Sequence, residues 1–489
     1  MRVVKDVVCP FCGCLCDDLE LEIEGREVKA VRNACAVGEA KFLHYGKHER
    51  TRPMIRKNGE LVEVSLDEAI RKAAEILAEA KYPVLFGWSS TSCEAVRVGL
   101  QLAEEVGAII DHCSSVCHGP SVLAIQEVGL AGFTLGQSRH RFDLIIYWGS
   151  NPLDSHFRHF ERYSTFSEGR FRPSISRRSI TQFLSTLAER RIKRVTRRLL
   201  IKEREEGFYF GARRAPSGPF KERDRKLIIV DVRRTRAAKM ADFFLQVKPN
   251  TDYEIIQALR MLIRDMELDV DEVAGIPVEV LEELADILVN AKVGVLYFGV
   301  GLTMSKGKHR NIEAAISLVR DLNARAKFHI LPMRGHYNVT GADVVITWTT
   351  GYPYAVDLTQ GYPRYNPGET STIDVLLRDD CDAFLCIASD PVAHFPRRAV
   401  ENMLKHPLIA IDPVVSATTL VADVVIPSAF SGIEVGGTAY RMDHVPITLK
   451  KVFEPPEGYL PDEEILKRIL AEVRRIKGKA AEALVPAGA

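Results

Sequence analysis

Residues 143–152 read DLIIYWGSNP, and residues 382–391 read DAFLCIASDP. Each is an apolar run that ends in a small-residue loop followed by proline. Each is followed downstream by a second apolar run ending in aspartate, IIVDVRRTRAAKMAD at 228–242 and IAIDPVVSATTLVAD at 409–423. Such continuous apolar strands are typical of parallel sheets covered on both faces. The pattern predicts an α/β fold with an internal repeat.

The loops of this repeat follow the carboxyl ends of the predicted strands. Open α/β sheets bind nucleotides at such ends. Two half-sites of this kind indicate one extended cofactor or two copies of a nucleotide-like one. The alternative is the duplication of a fold without a retained site.

The rest of the chain continues the alternation of strands and amphipathic helices. An Asn58-Gly59 turn predicts a short hairpin, and Ser65-Leu66-Asp67-Glu68 predicts the start of a helix that runs through Ala80. Further helices are predicted at 253–265, 278–291 and 310–324. The predicted strands are VLFGW (84–88), LIIYWG (144–149), LIIVDV (227–232), VGVLYFG (293–299), FHILPM (328–333), VVITW (344–348), AFLCIA (383–388) and LIAIDP (408–413).

The composition is that of a globular protein without a bias towards polyanions. The 489 residues carry a formal net charge of +1, with 46% hydrophobic and 27% charged residues. No apolar run approaches the length of a membrane span, and the start of the chain does not resemble a secretion signal. Clustered rather than evenly spread cysteines favour a reducing compartment. We therefore expect a cytoplasmic protein without a membrane span.

A basic segment at about 170–226 interrupts the alternation. It holds 18 Lys and Arg residues against 6 Asp and Glu residues. A nucleic-acid-binding arm is one interpretation. An insertion that packs on a partner subunit or stays solvated is the favoured one, because nothing else in the chain resembles a nucleic-acid module. We expect no nucleic-acid partner.

The N-terminal stretch CPFCGCLCDD at 9–18 carries the strongest site pattern. A predicted hairpin with its turn at Glu24-Gly25 would return a further cysteine to this stretch. Thiolates in such uneven runs hold iron–sulfur clusters, whereas structural zinc sites more often contain a second close Cys or His pair. A [4Fe–4S] cluster is therefore favoured, with zinc, disulfides or inert thiols as alternatives and Cys14 left spare. The four candidate ligands are Cys9, Cys12, Cys16 and Cys35.

Two later stretches carry further candidate residues. Cys117 and His118 lie side by side in CSSVCHGP at 113–120. They could be a nucleophile and its base, a metal ligand with a neighbouring acid, or a loop thiol and a surface histidine. Arg334 begins RGHYNVTG and could bind a small carboxylate through two parallel hydrogen bonds. An arginine in a loop is, however, more often part of a surface salt bridge.

Together these motifs resemble the molybdopterin oxidoreductase family of the dimethyl-sulfoxide-reductase type. Within that family, CPFCGCLCDD and the short chain are most similar to the formylmethanofuran dehydrogenase B subunits. The resemblance spans nearly the whole chain apart from the basic segment. The residues that carry it are the four cysteines, PMIRKNGELVEVSLDEAI (53–70), CHG (117–119), GSNP (149–152), VDVRRTRAAKMAD (230–242), NTD (250–252), RGHYNVTG (334–341) and ADVVIPSAFSGIEVGGTAYR (422–441).

The resemblance implies a CO2-reducing site at a tungsten or molybdenum bis(molybdopterin guanine dinucleotide) centre. It implies that Cys117 is the protein ligand of the metal, that His118 transfers the proton and that Arg334 orients CO2 or formate. Lys41 would lie between a [4Fe–4S] cluster and the pterin. Residues implied for the two pterin nucleotides are Asn151, Asp231 and Asp252 for one, and Asp390, Asp412 and Thr438 for the other.

The resemblance also implies an architecture and a set of partners. We expect a [4Fe–4S] module at 1–52, an α/β domain from 53–112 and 335–455, a second α/β domain at 113–334, and a C-terminal helix and tail at 456–489. The two doubly wound domains would enclose the cofactor. The C-terminal β-barrel of larger relatives is absent, so a small β-barrel subunit is expected, together with amidohydrolase-like and ferredoxin-like subunits.

Three alternatives to this function stay open. The chain could be the catalytic subunit of a formate dehydrogenase, or a non-catalytic scaffold that keeps the cluster within an electron-transfer complex. It could also be a zinc-bearing interaction protein.

Overall fold

The computed structural model describes residues 1–167, 169 and 225–478, so nearly all of the basic segment lies outside the described residues. The strands are β1 (Arg2–Val7), β2 (Leu19–Glu24), β3 (Glu27–Arg32), β4 (Met54–Lys57), β5 (Glu60–Glu63), β6 (Pro83–Gly87), β7 (Ile109–His112), β8 (Leu144–Trp148), β9 (Lys226–Asp231), β10 (Phe243–Gln246), β11 (Glu272–Val273), β12 (Ile276–Pro277), β13 (Val293–Phe298), β14 (Lys327–Pro332), β15 (Val356–Asp357), β16 (Arg364–Tyr365), β17 (Ala383–Ile387), β18 (Leu408–Ile411), β19 (Val424–Ile426), β20 (Gly437–Tyr440) and β21 (Pro446–Leu449). The helices are α1 (Ala36–Leu43), α2 (Leu66–Glu79), α3 (Cys93–Val106), α4 (Gly119–Val128), α5 (Leu135–Arg141), α6 (Pro152–Ser155), α7 (Asp252–Leu262), α8 (Val278–Val289), α9 (Val300–Thr303), α10 (His309–Leu322), α11 (Val339–Thr350), α12 (Thr372–Arg378), α13 (Pro391–His394), α14 (Arg397–Met403), α15 (Ala417–Val421) and α16 (Asp462–Ile476).

The chain divides into two compact units. The first consists of Met1–Val116 and Arg334–Ala489, and the second of Cys117–Met333. The two boundaries therefore fall directly before Cys117 and directly before Arg334, two of the residues that the sequence singles out.

The second unit is built on a five-stranded parallel sheet with the order β10-β9-β8-β13-β14. The strand residues are buried on both faces. On one face, α7, α8 and α10 bury their apolar sides in a common core with the sheet. The sequence therefore predicted this parallel sheet correctly. The strand order reverses between β8 and β13, which is where open sheets of this type form a ligand crevice.

The first unit contains a nine-stranded sheet with the order β16-β15-β7-β6-β17-β18-β19-β4-β5. Its five central strands are parallel, and the outer strands pair antiparallel. Helices α2, α3 and α16 pack in the core beside it. A separate three-stranded antiparallel sheet, β1-β2-β3, carries the N-terminal cysteines.

The internal repeat is present in the hydrogen bonds as well as in the sequence. In the second unit, the Asp242 carboxylate accepts from the Leu227 backbone N–H at 2.7 Å. In the first unit, the Asp423 carboxylate accepts from the Leu408 backbone N–H at 2.9 Å. Each aspartate lies just before the third strand of its repeat and bonds to the second one, so the two halves share a local architecture.

One predicted strand is wrong. Residues 344–348 lie within helix α11, which runs from Val339 to Thr350. Its Ala342, Val345 and Ile346 side chains are buried in the core of the first unit, whereas Trp348 is exposed. A short run of apolar and β-branched residues does not distinguish a strand from one side of a helix by its periodicity.

None of the helices in the described residues is long and apolar enough to span a membrane.

Candidate functional site

The structure brings the four N-terminal candidate thiols together. Cys9, Cys12 and Cys16 lie between β1 and β2, and Cys35 caps α1 by accepting from the Gly38 N–H at 3.3 Å. A Cβ atom on Gly38 would lie 3.4 Å from the Cys9 sulfur and 3.6 Å from the Cys35 sulfur. Burial, followed by the nearby Cys16, Cys12 and Cys35 thiols, raises the pKa of Cys9 well above its ordinary value. The Cys9 and Cys35 sulfurs therefore both lie at the start of α1.

Iron–sulfur clusters and single metal ions place different demands on grouped thiols. Among the described residues, no three or more His, Cys, Asp or Glu side chains are grouped so that they could hold one metal ion. In a [4Fe–4S] cluster, four thiolates bind four different irons and therefore stand further apart. Four thiols are the donor set of the cluster that the sequence predicts.

Cys14, which the predicted four-ligand set leaves out, lies in the same loop. It is fully buried, and its thiol forms a hydrogen bond with Cys12 that lowers the pKa of Cys12 and raises its own. Lys41 is exposed on α1, and its Nζ lies 4.8 Å from the centre of the Phe11 ring. Its positive charge is a smaller contribution to the lowered pKa of Cys12, so Lys41 lies close to the cysteine loop.

The cysteine loop packs against the backbone of the Arg334 segment. Gly13 N donates to the Gly335 carbonyl oxygen at 2.9 Å, and Gly13 O accepts from Met442 N at 3.0 Å. A Cβ atom on Gly13 would lie only 2.3 Å from the Arg334 carbonyl oxygen. Glycine at this position therefore allows the two backbones to approach each other.

Arg334 is buried rather than part of a surface salt bridge, with 3% of its surface exposed. Its Nη1 contacts the Asp343 Oδ2 atom. The other Asp343 oxygen accepts from Ser114 Oγ at 2.9 Å and lies 3.1 Å from His112 Nε2. The sequence predicted Arg334 as a site residue but missed all three of these neighbours.

Cys117 and His118 begin the second unit and precede α4. Cys117 is partly exposed, and its carbonyl oxygen accepts from Thr303 Oγ1 at 2.8 Å. His118 is buried, with Nε2 at 3.1 Å from the Met333 carbonyl oxygen and Nδ1 at 3.0 Å from Ser121 Oγ. Because a carbonyl only accepts, Nε2 carries a proton, and in the neutral ring Nδ1 accepts from Ser121. His118 is therefore not a surface histidine.

Three candidate nucleotide-binding residues cluster at the carboxyl edge of the five-stranded sheet. The Asp252 carboxylate accepts from the Trp148 indole at 2.8 Å, and burial raises its pKa. Burial also raises the pKa of Asp231, which accepts from Arg233 N at 3.1 Å. Asn151 Oδ1 is buried without a hydrogen-bond partner among the described residues. This edge of the sheet therefore carries an unsatisfied amide oxygen and two carboxylates.

The corresponding residues of the nine-stranded sheet are only partly grouped. The Asp390 carboxylate accepts from the Thr418 N–H at 2.9 Å and its hydroxyl at 2.6 Å. Burial, with smaller contributions from the charges of Asp462 and Asp390, raises the pKa of Asp412 to about 7. Thr438 lies on β20 instead, where its N–H donates to Glu94 at 2.9 Å.

Glycines in both units allow close backbone contacts where the strand order reverses. In the second unit, a Cβ atom on Gly299 would lie 2.5 Å from the Gly149 carbonyl oxygen, and one on Gly301 would lie 2.7 Å from Gly149 Cα. In the first unit, a Cβ atom on Gly87 would lie 1.9 Å from the Ile387 carbonyl oxygen. Ligand crevices of open sheets form at these positions.

Comparisons with known proteins place the chain in a family. No protein-family model matches it. It is 47% identical over 97% of its length to the whole B subunit of the tungsten-containing formylmethanofuran dehydrogenase 2 of Methanocaldococcus jannaschii. It is 45% identical over 98% of its length to the whole of the protein of the same name from Methanococcus maripaludis.

More distant similarities agree on the fold. The alpha subunit of the F420-dependent formate dehydrogenase 1 of Methanococcus maripaludis is 24% identical, with 95% of this chain and 69% of that protein covered. Acetylene hydratase from Pelobacter acetylenicus superimposes with a TM-score of 0.64 at 15% identity, covering 96% of this chain and 69% of that one. A chain of the formyltransferase/hydrolase complex FhcABCD from Methylorubrum extorquens gives a TM-score of 0.61 at 21% identity, covering 86% of this chain and 99% of that one.

Similarity over the full length of both chains at this level of identity establishes common family membership, which the sequence motifs had indicated. The chain belongs to the family of formylmethanofuran dehydrogenase B subunits, whose members are parts of an oxidoreductase.

Proposed function

We propose that this chain is the catalytic subunit of a formylmethanofuran dehydrogenase and that it reduces CO2 to formate. A partner subunit would then condense the formate with methanofuran. The observation that carries the proposal is the 47% identity to the Methanocaldococcus jannaschii protein, over 97% of this chain and all of that one. The name of that relative includes tungsten, so the proposed centre contains tungsten, or molybdenum as its chemical analogue.

Cys9, Cys12, Cys16 and Cys35 would hold a [4Fe–4S] cluster. The grouping of these thiols around Gly38 supports this assignment. Cys117 would bind the metal, since a thiolate is a suitable ligand for a soft metal centre. When bound, the metal–pterin group supplies the two-electron redox chemistry of the reaction. Lys41, beside the cysteine loop, is the proposed residue between cluster and pterin.

Arg334 would bind and orient the carboxylate. A guanidinium offers a planar fork of donors that matches two carboxylate oxygens, and it offsets negative charge that develops there. His118 would hold and transfer the proton. Its Nε2–H is fixed by the Met333 carbonyl oxygen, and its Nδ1 lies at the Ser121 hydroxyl, so a proton can enter or leave at the Ser121 side.

Each sheet would bind one pterin nucleotide. Asn151, Asp231 and Asp252 are proposed for the first, and the buried, unsatisfied Asn151 oxygen supports a ligand there. For the second, the proposed residues are Asp390, Asp412 and Thr438. The glycine contacts at both strand-order reversals support ligand crevices at these positions.

The proposed partners are the other subunits of such a complex. They comprise a small β-barrel subunit, an amidohydrolase-like subunit that uses the formate, and ferredoxin-like subunits that deliver electrons. A structure of the formyltransferase/hydrolase complex FhcABCD contains a chain with the same fold, which supports assembly with several subunits.

Metal analysis of the native complex, purified without oxygen, tests the proposal. We expect about one tungsten or molybdenum per chain, with abundant iron. Cys117→Ser should lose the tungsten or molybdenum and all CO2 and formate activity but keep its iron. The matched control Cys113→Ser, four residues earlier, should keep both.

Each of the other results would contradict an assignment or favour a different function for this chain. Full activity in Cys117→Ser would contradict the ligand assignment. Iron without tungsten or molybdenum would favour a scaffold in an electron-transfer complex. Zinc alone would exclude both the CO2-reducing subunit and the scaffold. Formate oxidation without any transfer to methanofuran would favour a formate dehydrogenase, to which this chain has 24% identity.

A further inference from the structure

Asp343 is buried beside Arg334 and is held on both carboxylate oxygens. Oδ2 accepts from Arg334 Nη1. Oδ1 accepts from the Ser114 hydroxyl at 2.9 Å and lies 3.1 Å from His112 Nε2. Only 5% of Asp343 and none of His112 is exposed, so water does not compete for these contacts.

The neutral His112 ring lies against Asp343, and its Nε2–H donates to the Pro353 carbonyl oxygen. The Nε2 atom lies 3.2 Å from this oxygen, and both neighbours of Nε2 are acceptors, so this nitrogen carries the proton. Its Nδ1 lies 3.2 Å from Ser89 Oγ, which can donate to it. Burial lowers the pKa of His112 to about 4, against the opposing charge of Asp111. His112 therefore packs against Asp343 without neutralising its charge, and Arg334 supplies the cation.

We propose that Asp343 is a positioning residue that fixes the Arg334 guanidinium for a carboxylate substrate, with the Ser114 hydroxyl holding Asp343 and His112 packed beside it. This proposal rests on the proposed function and deepens it, because it names what holds the substrate-orienting arginine. A long arginine side chain loses its rotational freedom here before any substrate arrives, so the fork of donors is already aimed when formate binds.

The buried ion pair of Arg334 and Asp343 fixes the position of the guanidinium more than it stabilises the fold. Replacing a buried ion pair by apolar residues is often neutral or stabilising, because the desolvation of both charges offsets their attraction. Helix α11 supplies Asp343 from its second turn, and its Ala342 and Ile346 side chains lie in the core. The carboxylate is therefore carried by a rigid element.

The test compares Asp343→Asn with a matched control in the assembled complex. Asparagine keeps the shape and an acceptor for Ser114 but removes the charge that faces Arg334. The control is Asp321→Asn, which breaks a contact of 2.7 Å between Arg260 and an aspartate of similar burial on α10, within the second unit. The measurements are kcat and KM for formate, metal content, and the position of the Arg334 guanidinium in an experimental structure of each variant.

We expect Asp343→Asn to lower kcat/KM for formate about a hundredfold, as displacement of a positioning group by about 1 Å does. Metal content should be unchanged, and the Arg334 guanidinium should move. Asp343→Glu, which restores the charge, should recover part of the rate, and Asp321→Asn should match the wild type. A wild-type kcat/KM in Asp343→Asn, or an unmoved guanidinium, would overturn the proposal.

Asp343→Asn could fail to assemble, or the wild-type complex could be inactive, and each outcome has its own test. If Asp343→Asn fails to assemble, Ser114→Ala is the second test, because it removes one hydrogen bond to Asp343 and keeps the charges of Arg334 and Asp343. We expect Ser114→Ala to lower kcat/KM about fivefold. An unchanged kcat/KM would overturn the proposal. Should the wild-type complex neither oxidise formate nor reduce CO2, the proposed function fails, and the position of Arg334 in Asp343→Asn alone decides the positioning role.

Discussion

Gly13 connects the candidate cluster loop with the candidate substrate arginine, and Gly13→Ala tests that connection. The added Cβ atom would lie 2.3 Å from the Arg334 carbonyl oxygen and 3.3 Å from the Met442 Cε atom. The oxygen belongs to the backbone, so it cannot rotate away as a side chain would. The loop or the Arg334 segment has to shift.

The size of the shift follows from ordinary contact distances. A Cβ–oxygen contact below 3.0 Å is essentially never seen, and ordinary contacts begin at 3.4 Å, so the backbones must separate by about 1 Å. Overpacking of this kind costs about 1–3 kcal/mol. A displacement of about 1 Å at a positioning group lowers a rate about a hundredfold. The hydrogen bonds of Gly13 to Gly335 and Met442 would stretch by a similar amount.

The assay is formate oxidation with an artificial electron acceptor, together with iron content and the visible absorption of the complex. We expect Gly13→Ala to lose about a hundredfold in rate and to release iron faster on exposure to a chelator. The control is Gly136→Ala on α5, whose Cβ would lie at an ordinary 3.6 Å from Thr134 Oγ1. Equal rates and equal iron retention in the two variants would refute this account of Gly13.

Two further predictions concern charged residues. Arg334→Lys should lower kcat for formate about a hundredfold. An ammonium group cannot bind a carboxylate through a planar pair of donors, and it cannot keep the arginine's contact with Asp343. An unchanged kcat in steady-state kinetics would show that Arg334 does not bind the carboxylate. Burial raises the pKa of Asp412 from 3.8 to about 7, so the folded chain binds this proton more tightly than the unfolded chain. Stability is therefore lost as the pH rises through about 4 to 7, by up to about 4 kcal/mol. Asp412→Asn should flatten the fall in unfolding temperature across this range, and an identical pH profile in wild type and variant would contradict the role of Asp412.

Much of the architecture could be predicted from local patterns. The apolar runs at β8 and β17 are strands because burial on both faces selects continuous apolar residues, and the Asn58-Gly59 turn and the Ser65 cap form as predicted. The candidate cysteines are also brought together as expected, because a hairpin returns Cys35 to the loop that precedes β2. These features depend on a few consecutive residues, which a sequence displays directly.

Other features depend on contacts between distant parts of the chain. Residues 344–348 are helical because their apolar side packs on a core that the local pattern does not reveal. Asp343, Ser114 and His112 have no motif of their own, and Gly13 looks like any glycine in a cysteine-rich loop. Their roles follow from Arg334, which lies 220 residues or more from Ser114, His112 and Gly13 along the chain.

The family, the parallel sheets and the types of the candidate ligands could be predicted from the residues alone, because residue chemistry and periodicity are visible along the chain. How Arg334 is held, and which backbones come into contact, became visible in the folded chain. Hydrogen-bond geometry and desolvation arise when residues from separate segments are buried together, and no linear pattern encodes them.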